Sequence, residues 1–347
     1  MNKLIVGFFS ILSGTIAATL GVSQSLSDWG NDISSPGRAA SVYVWFEGES
    51  EAAAWGPFGT KNRSAKPSDP FLLASVSKIY TAVAVVKLAE QARIDLDGPI
   101  ADYLPDPVVS RMPGLDRITV RQALAMRSGL VEYYTDDNLL AATGGSPEAM
   151  LEYVYGERLE FAPNSDFEYS NTNYLLAEIL LREVTGKRFG PALDELVFGP
   201  GRLQNSEALG YGIGPRDMVM GYSDGALDSL PEFLSYYSGF GFGDGGIVAT
   251  AEDVAKFYRA LLIDRTLLGD WGLRQIISDP EGDQYGLGIE VENDADLGLV
   301  YGHSGSDTGY LTDVRLTLDP PAVAVILTAE EDSNTGLTYE MLWEFSE

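Results

Sequence analysis

The sequence predicts an α+β fold, in which an antiparallel sheet built from the two ends of the chain carries helices on its faces and a mainly helical region is inserted between. Three observations predict it. Runs of strand composition are confined to 41–58 and 285–328. Between them the apolar residues recur at helical spacing. One segment, 79–88, is apolar nearly all round, which suits a helix with neighbours on every side.

In chain order, Met1-Asn2-Lys3 and an apolar run to about Val22 have the shape of a secretory signal, with an uncleaved membrane anchor as the alternative. Residues 1–24 are therefore assigned to export and 25–40, rich in Ser, Asp, Asn, Gly and Pro, to a lead-in linker. Residues 41–46 read as a strand and 51–58 as its hairpin partner. The buried helix follows from about Ser75. Segments 119–126, 147–155, 170–185 and 251–262 read as further helices, with Thr119 and Thr250 as caps and Gly186 as a terminator. Residues 199–246 are glycine-laden and carry no clear pattern. Four strands follow at 285–292, 297–301, 310–318 and 322–328, then a closing helix at 337–345. The expected organisation is a sheet domain from 41–95 and 245–347 with a mainly helical insertion at 96–244.

At 347 residues and 45% hydrophobic content the chain is able to bury a large core. Its 51 acidic against 23 basic residues give a formal charge of −28, which repels nucleic acid and anionic membrane surfaces. The chain has no cysteine, so neither a disulfide framework nor a lipid-bearing cysteine is available. A single histidine, His303, excludes a multi-histidine metal site. No metal or organic cofactor is expected, and the expected partner is a small-molecule or peptide substrate.

The chemistry starts at Ser75-Val76-Ser77-Lys78. On a helix, residues three apart share a face, so the Lys78 amine is within reach of the Ser75 hydroxyl proton. A lysine accepts a proton where apolar surroundings disfavour its charged form. Free N–H groups at a helix start also favour arriving negative charge. The same tetrad is equally an ordinary helix start with Ser75 as N-cap. Three further islands stand beside it: 161–174 with Tyr169-Ser170-Asn171, then Asp244-Gly245-Gly246-Ile247, then Tyr301-Gly302-His303-Ser304-Gly305-Ser306. Singly, these read as a helix start, a turn and a strand end.

Together and in this order, the islands resemble the serine β-lactamase and penicillin-binding superfamily, in its class C, DD-peptidase and family VIII esterase branch. The resemblance runs from about Ser41 to Thr328. It implies a β-lactamase/transpeptidase-like fold and a serine hydrolase acting on D-amino-acid peptides, amides or esters, or more weakly on β-lactams; the N-terminal segment adds the expectation that it is exported, periplasmic or secreted. A sensor that is acylated with little turnover is the alternative. It implies Ser75 as the acylated nucleophile, Lys78 as its activator and Tyr169 as the proton shuttle. Asn171 is implied as a holder of substrate amide and lysine, His303-Ser304-Gly305 as the strand edging the site, and the N–H of Ser306 as the second oxyanion donor beside that of Ser75. No chemistry is assigned to Gly245-Gly246. His303 stands where many relatives have lysine, which weakens the positive charge available to a substrate carboxylate. Asn164 replaces a usual glycine and keeps tolerance for positive φ.

Overall fold

The computed structural model describes residues 26, 29–59, 61–135, 146–209, 217–223 and 242–346. The predicted export segment lies outside them. Among the described residues no helix is long and apolar enough to cross a membrane.

Among the described residues nine strands occur in chain order: β1 Ala40–Phe46, β2 Glu49–Trp55, β3 Phe71–Leu72, β4 Ser206–Ala208, β5 Ile247–Ala249, β6 Glu290–Asp294, β7 Gly298–Asp307, β8 Tyr310–Leu318 and β9 Pro321–Thr328. Six form an antiparallel sheet in the order β2-β1-β9-β8-β7-β6. The first strands thus dock on the last, with Val42 opposite Ile326 and Val44 opposite Ala324. Strand β1 is buried on both faces, which explains its near-continuous apolar run. Tyr43 and Trp45 face the main core, whereas Ala40, Val42 and Val44 face a smaller one completed by Leu337, Met341 and Leu342 of the closing helix.

Two expectations need correction. Segment 25–40 is no loose linker, because Leu26, Trp29 and Ile33 are buried beneath the sheet. Trp29 and Ile33 stand at the start and end of a short helix, Gly30–Ile33, inside a polar-looking stretch. Trp55 Nε1 donates to Ser34 Oγ at 2.7 Å and Ser35 N to Glu330 Oε1 at 2.6 Å, tying the lead-in down. Nor are strands confined to the two ends. A second sheet, β3-β5-β4, lies between, and strands of two or three residues are too short to show a period of two.

Among the described residues the helices referred to below are α1 Ser77–Glu90, α2 Val120–Leu124, α3 Thr172–Thr185, α4 Ala251–Tyr258, α5 Asp270–Ile277 and α6 Leu337–Ser346. Thr119 caps α2 in a reciprocal capping box with Gln122, and Thr250 caps α4 through Asp253 N. Gly186 ends α3 with φ 69°. The middle of α1 is buried all round, as its composition requires, between α3, α5 and the helical residues 189–198.

Candidate active site

The turn before α1 is pinned from three directions. Strand β3 leads into Leu73, whose N–H donates to Ile247 O at 2.8 Å and whose carbonyl accepts from Thr312 Oγ1 at 2.9 Å. Ala74 has φ 48°, a conformation that costs a residue with a Cβ, placed one residue before Ser75. Residues Ala74–Val76 form a single 3₁₀ turn, and Ile247 N donates to Ser77 Oγ at 3.0 Å. Ser75 is half-exposed while Val76, Ser77 and Lys78 are buried. Its hydroxyl caps nothing, which removes the ordinary-cap reading.

Lys78 is fully buried. Its Nζ lies 2.9 Å from Ser75 Oγ and 2.8 Å from the carbonyl of Asp244, and sits 5.0 Å from the ring centre of Tyr169. The Asp244 carbonyl belongs to a buried loop held on both sides: Gly243 N donates to Glu178 Oε2 at 2.9 Å, and Gly243 O accepts from Thr81 Oγ1 at 2.7 Å. The Asp244 carboxylate accepts from Tyr133 OH at 2.5 Å. Burial pushes its carboxyl up, against the pull of Lys78. Burial likewise keeps Glu178 well above the usual carboxylate range.

Tyr169 and Asn171 precede α3. The Tyr169 ring packs beside Tyr285 and His303, with centroids 6.1 and 6.3 Å away. Asn171 is occupied elsewhere, since its N and Nδ2 donate to Glu132 Oε2 at 2.7 and 3.0 Å. Asn164 has φ 69°, as its place in the chain required. Met126 is buried and takes Asn173 Nδ2 on its sulfur at 3.6 Å.

Strand β7 closes the other side. A Cβ on Gly305 would stand 2.5 Å from Leu73 O and 3.0 Å from Ser75 N, so only glycine lets the strand approach the serine turn this closely. The pairing of β6 with β7 ends at Glu290 opposite Gly302, while β8 pairs with β7 through Asp307 opposite Tyr310. Among the described residues, 303–307 therefore have a strand on one side only. Ser304 N–H points to the open side, toward Glu290 Oε1 at 3.2 Å. Alternation along a strand sends the Ser306 N–H the same way.

The His303 ring is buried, with Nε2 3.0 Å from Tyr285 OH and Nδ1 against Ser304 O. Burial takes the imidazole down to about 4 despite the nearby Glu290 carboxylate, so it is neutral at pH 7. It supplies no positive field to Tyr169 and none to a substrate carboxylate. Burial alone would raise Glu290, but His303, which carries its charge only in acid, and Arg315 overrule it and bring the carboxyl to about 2.

The structure thus gathers Ser75, Lys78, Tyr169 and the Gly305-Ser306 edge, and directs the side chains of Asn171, His303 and Ser304 to other partners. Sequence reasoning missed Tyr133, Glu132, Asp244 and Glu290. Asp244 stood inside a recognised island and was read only as a turn; the other three had no local signal. A surface cleft of about 460 Å³, lined by Arg121, Arg127 and Asp283 among others, reaches Tyr285 from behind but includes none of Ser75, Lys78 and Tyr169.

Comparison with known proteins bears on the family and the fold. Penicillin-binding protein 4* of Bacillus subtilis is 24% identical over 79% of this chain and 63% of its own length. The chain spans between 26% and 63% of the curated relatives it matches. A D-stereospecific amidohydrolase from Streptomyces superposes with a TM-score of 0.75 at 24% identity, covering 93% of this chain and 97% of that one. The D-amino acid amidase of Ochrobactrum anthropi SV3, complexed with L-phenylalanine amide, gives 0.76 at 21% identity over 96% and 97%. The Beta-lactamase family model matches residues 35–340, and the chain belongs to that family.

Proposed function

We propose that the protein is an exported serine hydrolase that takes an acyl group from an amide or ester onto Ser75 and releases it to water. The observation that carries the proposal is the 2.9 Å contact between half-exposed Ser75 Oγ and fully buried Lys78 Nζ. Export rests on the basic start and apolar run of residues 1–24.

In the proposed cycle Ser75 Oγ bonds to the substrate carbonyl carbon as the Lys78 amine takes the hydroxyl proton. The oxyanion sits between the N–H groups of Ser75 and Ser306. The C–N or C–O bond then breaks as Tyr169 OH gives its proton to the departing nitrogen or oxygen, and Lys78 returns a proton to Tyr169. Water attacks the acyl-enzyme, its proton passes to the same pair, and Ser75 leaves reprotonated. His303 takes no part in the proton transfers, and Asn171 acts by fixing the start of α3 through Glu132. The names of the two superposed enzymes, an amidohydrolase and an amidase, favour amides of D-amino acids as substrates.

A panel of p-nitrophenyl esters, D-amino-acid p-nitroanilides, D-Ala-D-Ala peptides and nitrocefin tests the proposal. Wild type is expected to turn over esters and anilides, and Ser75→Ala neither. Equal behaviour of the two proteins overturns it, and stoichiometric acylation without turnover converts it to an acylatable binding module.

A further inference from the structure

Glu290 occupies the open edge of β7 two residues from the proposed oxyanion donor. Its Oε1 accepts from Ser304 N at 3.2 Å and from Ser304 Oγ at 3.1 Å, and its side chain is 21% exposed. The hydroxyl and amide that would greet an incoming anion at this point are already engaged by a carboxylate. The surroundings do not neutralise it. Arg315 bonds Glu290, but Glu292 also lies 3.3 Å from the same guanidinium. The neighbouring His303 is neutral, and the whole chain carries a formal charge of −28.

The end of the substrate that meets this group follows from the positions of the partners. The reacting carbonyl must sit between Ser75 N–H and Ser306 N–H, so the substrate lies along the β7 edge. Tyr169, which protonates the departing atom in the proposed cycle, packs against His303 and Tyr285. The leaving group therefore extends toward Ser304 and Glu290, and the acyl portion toward Asp307.

We infer that Glu290 is a specificity-determining residue that rejects a carboxylate on the leaving-group side and restricts the enzyme to amides and esters whose departing portion is neutral or cationic. The inference rests on the Ser75 acyl-enzyme reading. It separates two substrate classes the sequence left together, since a peptide ending in a free D-amino-acid carboxylate belongs to the rejected class. Two like charges about 5 Å apart in a wet cleft cost enough to change kcat/KM about tenfold. Added salt screens this repulsion.

The test compares an N-acyl-D-alanyl-D-alanine with its C-terminal carboxamide, using wild type and Glu290→Gln. Glutamine keeps the size and an acceptor for Ser304, and Arg315 retains Asp313 and Glu292. Wild type in 20 mM NaCl is expected to favour the carboxamide about tenfold in kcat/KM. Glu290→Gln is expected to bring the two within about threefold, and raising NaCl to 0.5 M to narrow the wild-type gap. The salt titration needs only wild type, so it stands even where the variant folds poorly. Wild type that cleaves both substrates equally, or a preference that neither Glu290→Gln nor salt alters, overturns the inference alone. Wild type that cleaves neither and leaves Ser75 unmodified by a fluorophosphonate overturns the hydrolase reading and this inference with it.

Discussion

Lys78 Nζ lies 2.8 Å from the main-chain carbonyl of Asp244, a residue 166 positions further along the chain. The loop that presents this carbonyl is fixed by Tyr133, Glu178 and Thr81, so the lysine is aimed at Ser75 by tertiary structure and by its place on α1 together. A first prediction follows for Tyr133→Phe. The variant removes the hydrogen bond to the buried Asp244 carboxylate, and a buried acceptor left without that bond costs about 1–3 kcal/mol. Urea unfolding is expected to show that loss. Tyr133 donates to Asp244 and not to the proposed reacting atoms, so kcat is expected to fall further than KM rises. Unchanged stability would contradict the loop-fixing role.

Gly305→Ala places a methyl group against Leu73 O and Ser75 N. The strand must withdraw, carrying the Ser306 N–H away from the oxyanion. Loss of one such donor typically lowers kcat by about 10²-fold or more. The expected result is a fall of that order in ester hydrolysis with the circular dichroism spectrum retained. Full activity in a folded Gly305→Ala protein would remove Ser306 from the proposed oxyanion site.

The pH dependence of stability follows from His303, whose pKa falls from 6.5 unfolded to about 4 folded. A group with a depressed folded pKa contributes stability that is complete above the unfolded value and lost as pH falls toward the folded one. Between pH 6.5 and 4 the loss amounts to about 3 kcal/mol. Asp313 works in the opposite sense, because burial raises its carboxyl from 3.8 to about 7 and its contribution is lost as pH rises through that value. The difference between wild type and His303→Gln isolates the histidine. Measured by chemical denaturation, that difference is expected to grow in favour of wild type from pH 4 to 6.5 and to be level above. A difference independent of pH would mean that the imidazole is not held neutral.

The outer parts of the fold were legible because their residues obey a local period. Residues 310–318 alternate within a strand of that extent, and Thr119 and Thr250 announce helix starts that the backbone adopts. The serine and lysine were legible for a related reason, since three residues along a helix bring two side chains together wherever that helix lies. The remainder of the site depends on distant contacts. Glu290 reaches Ser304 through the pairing of β6 with β7, and Tyr133 reaches Asp244 across 111 positions, neither of which leaves a pattern in its own neighbourhood. The neutrality of His303 is equally non-local, because it results from burial among Tyr285, Tyr169 and the strand. Residues 29–33 show the reverse error, where polar composition concealed two apolar residues, Trp29 and Ile33, one helical turn apart.

The central claim is that Ser75 becomes covalently acylated and that Lys78 activates it. Peptide mass spectrometry after rapid quenching of a p-nitrophenyl ester reaction measures this directly. The expected result is one acyl group per chain on the peptide containing Ser75 in wild type, at least about 10³-fold slower labelling in Lys78→Ala, and none in Ser75→Ala. Ester hydrolysis that persists in Ser75→Ala, or an acyl group found on another residue, would contradict the claim.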